Sequence, residues 1–383
     1  MALQFKLTTP TIEDLTFDLR PDATAGPEES EIRTTHLPAE WARQSGVQLT
    51  WPHAGTDWAP ILHEVNECYV RMALEIALRE RLLIVTPEPE AVGQLLKERL
   101  PERARKNVSL HCIATDDTWA RDHGFITLRT STGCRLLDFR FNGWGEKFPA
   151  EQDNHICRRM MEQGIFQGQY EDHLDFVLEG GSIESDGSGT ILTTSQCLLA
   201  PHRNQPLTQA EIEERLKRTL CAERVLWLNH GYLAGDDTDS HVDTLARLCP
   251  NDTIAYVQCK NPEDEHYAEL RRMEEELQAF RTMDGRPYRL VPLPMAKAVY
   301  EGGATSDADG AQRLPATYAN FLCINGAVLM PAYRDSERDE QARRQLQQAF
   351  TRHEIVPVDC RVLVEQHGSL HCCTMQFPVG AII

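Results

Sequence analysis

The chain reads as a mixed α/β protein, and three observations carry that expectation. Apolar strands and amphipathic helices alternate between Gly46 and Ile113. Polar anchors set between apolar strands return at intervals of about 50–80 residues, which suggests a degenerate supersecondary repeat. Helical segments separate these anchors, as strand-helix-strand units require.

Taken in order, residues 1–33 are rich in Pro, Asp, Glu and Thr, with Pro10, Pro21 and Pro27 interrupting any regular pattern. A loosely packed arm is expected there. The fold begins near Leu37-Pro-Ala-Glu-Trp41, followed by a strand over Gly46–Trp51 and a turn through Asp57. A helix over Ile61–Arg79, a strand over Leu82–Val85, a helix over Glu90–Leu100 and a strand over Val108–Ile113 come next. The loop Asp116–Gly124 is the first polar anchor. The second is Leu178-Glu-Gly-Gly-Ser-Ile183, where Asp186–Gly189 reads as a hairpin turn and Thr190–Thr194 as the return strand. The third is Asp239-Ser-His-Val-Asp243, and a weaker strand-turn-strand unit surrounds Gly326 between Tyr318 and Met330. The last apolar segment, His367–Pro378, carries Cys372 on what reads as a short strand ended by Pro378. Helices are expected over Gln152–Gln163, Gln209–Leu220, Pro262–Thr282 and Arg338–Arg352. The 383 residues are long enough for two domains, yet closed repeats of this size also occur as one. No linker or composition change marks a boundary, so 34–383 reads as a single domain.

Charge narrows the partners. Lys and Arg total 39 against 58 Asp and Glu, a formal charge of −19. Nucleic acid and anionic membrane both require a basic surface, and neither is expected. A cationic small molecule is compatible with the balance, as is an ordinary acidic surface. Twelve cysteines are dispersed with no C-x-x-C pair, which suggests reduced thiols in a cytoplasmic protein. Met1–Arg20 has no signal-peptide core, and the charge-free run Tyr318–Tyr333 is too short to span a bilayer. A homo-oligomer is compatible with the sequence and is not specified by it.

Four anchors hold side chains with chemistry. Cys372 follows Gly368, Ser369 and His371, a small-residue setting that gives a thiol access; a packed structural cysteine is the alternative. If the segment is extended, Cys372 and Cys373 face opposite ways, which makes His371-Cys372-Cys373 a poor metal cluster. His241 and Asp243 share a face only if extended; otherwise Asp243 caps the helix-like Thr244–Leu248. Asp122 lies beside Trp119, whose ring could line a pocket for a cation or equally pack in the core over an Arg121–Asp122 surface pair. Glu179 stands where Gly180 and Gly181 thin the backbone, a site or a simple turn. Carboxylates, a histidine and a thiol together suit a guanidinium. That group is planar and cationic, its N–H pairs match carboxylates, and its central carbon must be aligned for thiolate attack. Composition and spacing alone do not select that chemistry.

A resemblance does. Trp119-Ala-Arg-Asp-x-Gly124, Glu179-Gly-Gly, Asp186-Gly-x-Gly-Thr190, Cys197-Leu-Leu, His241-x-Asp243 and Gly368-x-x-His-Cys372 occur in this order. With Leu37-Pro-Ala-Glu-Trp41 and Trp51-Pro-His53, they resemble the agmatine deiminase family, which also holds bacterial peptidylarginine-deiminase-like proteins. The resemblance covers nearly the whole chain from about Leu37 and implies the guanidine-modifying superfamily fold, a pseudo-symmetric five-bladed α/β-propeller of ββαβ-type units. It further implies Cys372 as nucleophile, His241 as general acid/base, Asp122 and Asp243 as guanidinium ligands, and Glu179 as support for His241 and the substrate nitrogens. Trp119 would line the pocket for the alkyl part. The implied reaction deiminates agmatine to N-carbamoylputrescine and ammonia through a thiouronium-type intermediate, with no cofactor and no metal. Departures are Phe125 where the family has proline, Ser240 and His367 and Ser369 where it has glycine, and the loop His202-Arg203-Asn204. Free or peptide-borne arginine is the alternative substrate, for which Arg203 could meet a carboxylate. A silent guanidinium-binding protein and a zinc hydrolase are further alternatives.

Overall fold

The computed structural model describes residues 35–303 and 310–383. The arm expected over 1–33 lies outside these residues. Five sheets share one hydrogen-bonding plan: an antiparallel strand pair, then a helical crossover to a strand parallel to the second. Ile126–Thr130 pairs with Gly133–Arg140, and helix Ile156–Glu162 leads to Gln169–Val177. Ile183–Ser185 pairs with Thr190–Thr194, and helix Gln209–Leu220 leads to Arg224–Leu228. Ala246–Cys249 pairs with Thr253–Gln258, and helix Tyr267–Ala279 leads to Arg289–Pro294. Leu322–Ile324 pairs with Ala327–Ala332, and helix Ser336–Ala349 leads to Glu354–Asp359. In the fifth sheet the last strand, Thr374–Pro378, pairs antiparallel with Gln44–Thr50 from the start of the fold. Helix Leu62–Ala77 then leads to Arg81–Thr86, and helix Pro89–Arg99 to a further parallel strand, Val108–Cys112.

Local sequence accounts for these elements. Strand Arg81–Thr86 is buried from Leu82 to Thr86, as a strand paired on both sides and covered on both faces must be, and it reads as an unbroken apolar run. Helix Gln209–Leu220 starts at a reciprocal Thr208–Glu211 capping box and buries Ile212, Leu216, Thr219 and Leu220 along one stripe. It stops at Cys221, which is left-handed at φ 55.

Two expectations change. The helix expected over Pro262–Thr282 is confined to Tyr267–Ala279, because Asp264 accepts from the His266 N–H and holds Arg313 in the preceding turn. The helix-like Thr244–Leu248 is a strand from Ala246, with all four of its residues buried and Ala246 opposite Tyr256. Cross-strand packing outweighs the intrinsic helical preference of Ala and Leu there. Among the described residues, no helix is long and apolar enough to cross a membrane.

The plan places chemistry at one recurring position. The first strand of each unit begins at Ile126, Ile183, Ala246, Leu322 and Thr374. Asp122, Glu179, Asp243, Asn320 and Cys372 each stand a few residues before it.

Candidate active site

These five side chains converge in the interior. Cys372 is 5% exposed, Asp122 3%, and Glu179, Asp243 and Asn320 are fully buried. His241, two residues before Asp243, is fully buried with them. The expectation that Cys372 sits on a strand is corrected: it occupies the turn before Thr374–Pro378. That turn is closed by the Thr374 N–H on the His371 carbonyl at 3.0 Å. Asn320 Oδ1 accepts from the backbone N–H of His371 at 2.9 Å and of Cys372 at 3.3 Å. Asn320 Nδ2 lies 3.3 Å from the Cys372 sulfur, giving it an amide donor.

The carboxylates are fixed from several sides. Asp122 Oδ2 accepts from Trp144 Nε1 at 3.0 Å and Oδ1 from the Gly181 N–H at 3.0 Å. Asp243 Oδ2 accepts from His371 Nδ1 at 2.7 Å and lies 3.8 Å from the Cys372 sulfur. Its Oδ1 is buried without a hydrogen-bond partner. His241 Nδ1 lies 3.7 Å from Asp122 Oδ1, beyond hydrogen-bond range, and neither ring nitrogen has a partner. Gly181 makes this crowding possible: a Cβ there would sit 2.6 Å from His241 Nδ1 and 2.9 Å from Asp122 Oδ1. Gly368 does the same for Trp119, whose ring atom Cζ3 would lie 2.2 Å from a Cβ. Trp119 in turn packs against Trp58 and Trp144, at 5.7 and 6.4 Å between ring centres.

Electrostatics follow from this enclosure. Burial pushes the Cys372 thiol well above its ordinary range, and the Asp243 and Asp122 carboxylates push it further. Burial raises Asp122 to about 6, against the pull of His241. Burial opposes charge on His241, but Asp122, Cys197 and Glu179 outweigh it and raise its imidazole. Asp243 stays below the usual carboxylate range because His371 offsets the burial penalty. Two anions beside a neutral thiol, with Asp243 Oδ1 an unpaired acceptor, form a cradle for a cation.

Two departures from the expected glycines have a backbone consequence. Ser240 and His367 both adopt the left-handed conformation, φ 66 and 64, in which glycine is at ease. Side-chain bonds hold them there: Ser240 Oγ on Gln196 Oε1 at 2.7 Å, and His367 Nδ1 on the Gly235 carbonyl at 2.7 Å. Arg203 is corrected as a substrate-carboxylate ligand. Its Nε donates to Glu179 at 3.0 Å, Nη1 to Asp239 at 2.6 Å and Nη2 to the Thr238 carbonyl at 2.8 Å. The Arg121–Asp122 surface pair is likewise corrected, since both residues are buried.

Spacing gave no hint of metal ligands, yet the fold brings two triads together among the described residues: Glu179, Cys197 and His241, and Glu40, Glu184 and His371. Each already has an arginine on its carboxylates, Arg203 on the first and Arg247 on the second. A metal ion would have to share that space with a guanidinium. Asn320 and Trp144 escape a reading by motif. Asn320 has a recoverable signal, since it occupies the anchor position of the weaker fourth unit. Trp144 has a fainter one, a tryptophan between Gly143 and Gly145.

Comparison with known proteins gives the family. Residues 36–378 match the family of Porphyromonas-type peptidyl-arginine deiminases. The agmatine deiminase of Ectopseudomonas mendocina (strain ymp) is 32% identical over 360 residues, covering 90% of this chain and 95% of that one. A C. jejuni agmatine deiminase, solved as a cysteine-to-serine variant with substrate bound, superposes with a TM-score of 0.82 at 36% identity, covering 90% and 97%. A Porphyromonas gingivalis structure provisionally described as an arginine deiminase gives 0.84 at 50% identity, covering 91% and 100%. The α/β fold is therefore the guanidine-modifying one, and the chain belongs to the Porphyromonas-type peptidyl-arginine deiminase family, with agmatine deiminases among its relatives.

Proposed function

We propose that the protein is a cysteine hydrolase that deiminates a guanidine, with agmatine as the substrate. The carrying observation is Asp243 Oδ1, a buried carboxylate oxygen beside the thiol with no hydrogen-bond partner. A buried acceptor without a partner is costly, and a guanidinium supplies the missing donor. Asp122 and Asp243 hold the cation through paired N–H groups and turn its central carbon toward the sulfur.

The cation also activates the nucleophile. The free site penalises a thiolate, and a bound guanidinium offsets both carboxylates, so the thiol proton is lost to solvent as substrate docks. The sulfur attacks the central carbon, His241 protonates the departing nitrogen, and ammonia leaves a covalent thiouronium. Neutral His241 then takes a proton from water, which attacks the same carbon; the C–S bond breaks and the ureido product leaves. Glu179, near His241 and tied to Arg203, supports the imidazolium. The five units, each sending one anchor inward, are read as blades disposed about this site.

Selectivity for an amine tail is supported by Arg203, whose three nitrogens are committed to Glu179, Asp239 and Thr238. The second reading, arginine deimination, is favoured by the 50% identity with the Porphyromonas gingivalis structure. The test is ammonia and ureido-product formation with agmatine, free L-arginine and an arginine-containing peptide offered in parallel. Turnover of agmatine alone is expected. Preferential turnover of arginine or the peptide would overturn the tail assignment, and no turnover by fully reduced protein would overturn the activity.

A further inference from the structure

Two sequence motifs meet beneath the site without entering the reaction described above. Glu40 belongs to Leu37-Pro-Ala-Glu-Trp41, and His371 precedes Cys372. The His371 ring is 1% exposed and lies between two carboxylates. Nδ1 is 2.7 Å from Asp243 Oδ2, and Nε2 is 2.7 Å from Glu40 Oε2. Both acids are held below the usual carboxylate range and are acceptors toward the ring, and Arg247 Nη2 also lies 3.0 Å from Nε2. Glu40 is itself anchored. Its Oε1 accepts from the Cys323 N–H at 2.7 Å, and Oε2 is 2.8 Å from Arg247 Nη2. Arg247 is fixed by Glu184 and by the Ala319 and Phe321 carbonyls.

The consequence falls on Asp243. The bond from His371 to Oδ2 orients the carboxylate, and the partnerless Oδ1 is the oxygen left for a ligand. We propose that His371 is a positioning residue: clamped by Glu40, it fixes the Asp243 carboxylate so that Oδ1 is preset for the cationic group of the substrate. This rests on the reading of Asp243 as a guanidinium ligand and Cys372 as the nucleophile, and it adds the residue that aims the ligand.

The test separates cation capture from thiol reactivity. 2-Chloroacetamidine and 2-chloroacetamide are nearly the same size, and only the first is a cation. Each alkylates a thiolate in the same way: the S–C bond forms, chloride leaves, and the thiol proton goes to solvent. The ratio of their rates on Cys372 in the full chain reports what the carboxylates gain from the cation: its capture and the thiolate formation that capture brings. His371→Asn places an amide N–H where Nδ1 stood, facing Asp243; His371→Gln places one where Nε2 stood, facing Glu40; His371→Leu has neither. The wild type is expected to prefer the amidine strongly, and the Asn variant to keep most of that preference. The Gln and Leu variants should lose it by about 10- to 100-fold, with chloroacetamide rates within about threefold of wild type. Deimination kcat/KM should fall in the same order. Equal behaviour of the Asn and Gln variants would overturn the proposal even if the Leu variant fails to fold, because a packing role does not distinguish the two amides. A wild type without amidine preference would overturn the underlying capture reading, and the proposal with it.

Discussion

Replacing Gly181 by alanine would put a methyl group where three functional side chains already meet. The added Cβ would lie 2.6 Å from His241 Nδ1, 2.9 Å from Asp122 Oδ1 and 3.2 Å from Asp243 Oδ2. Ordinary contact starts near 3.4 Å, so the first two atoms must retreat by about 0.8 and 0.5 Å. None of the three is the free end of a long, exposed chain. Asp122 is pinned by Trp144, and Asp243 by His371. The Gly181 N–H also donates to Asp122 Oδ1, so moving the backbone instead would strain that bond. Displacements of this size at a reacting centre reduce catalysis by about 100-fold, while overpacking costs on the order of 1–3 kcal/mol of stability. Ammonia release with agmatine, read beside a thermal melt, is the assay. The expected result is a folded protein with kcat/KM reduced about 100-fold. Near-normal kcat/KM would mean that His241, Asp122 and Asp243 do not work from these positions.

Three further outcomes are expected. Cys372→Ser should abolish turnover with the fold intact, whereas Cys373→Ser should keep much of it; ammonia assays with far-UV spectra check both, and an active Cys372 variant would refute the nucleophile. Asp122 titrates at about 6 because of burial and must be ionised to hold a cation. kcat/KM should therefore fall about tenfold per pH unit below that point, an acid limb that Asp122→Asn should lack in a pH-rate profile. Glu80 is pushed by burial from 4.5 to about 7, so the folded state retains a proton that the unfolded chain releases at lower pH. Its contribution is full below about 4.5 and is lost as pH rises through about 7. Glu80→Gln should then raise Tm more at pH 8 than at pH 5, by on the order of 3 kcal/mol in stability at most; a gain independent of pH would contradict this.

Much of the architecture is legible because it is local. The Thr208–Glu211 box and the stripe Ile212, Leu216 and Leu220 specify a helix without reference to anything else. The Asp186–Gly189 turn sets the hairpin between Ile183–Ser185 and Thr190–Thr194 in the same way. Where local preference and packing disagree, packing decides. Ala246-Arg-Leu-Cys249 has helical residues and forms a strand because Thr253–Gln258 pairs with it and buries all four. Ser240 and His367 show the reverse limit: residue type argues against a left-handed backbone, and only the partners Gln196 and Gly235 explain it.

The sequence by itself determined the α/β class, the recurring polar anchors and, through the resemblance of its motifs, the expectation of a site for a guanidine. Asp122, Glu179, His241, Asp243 and Cys372 could be named because each sits in a short string whose order along the chain is distinctive. The tertiary structure alone decided what those groups can do. It shows which oxygen of Asp243 is free, that Asn320 holds the Cys372 turn, and that Arg203 is spent on Glu179 and Asp239. It also joins Glu40 to His371 across 331 residues. Such a bond has no period and no spacing rule. It exists because the last strand of the chain closes against Gln44–Thr50, and that pairing is formed only when the whole fold is.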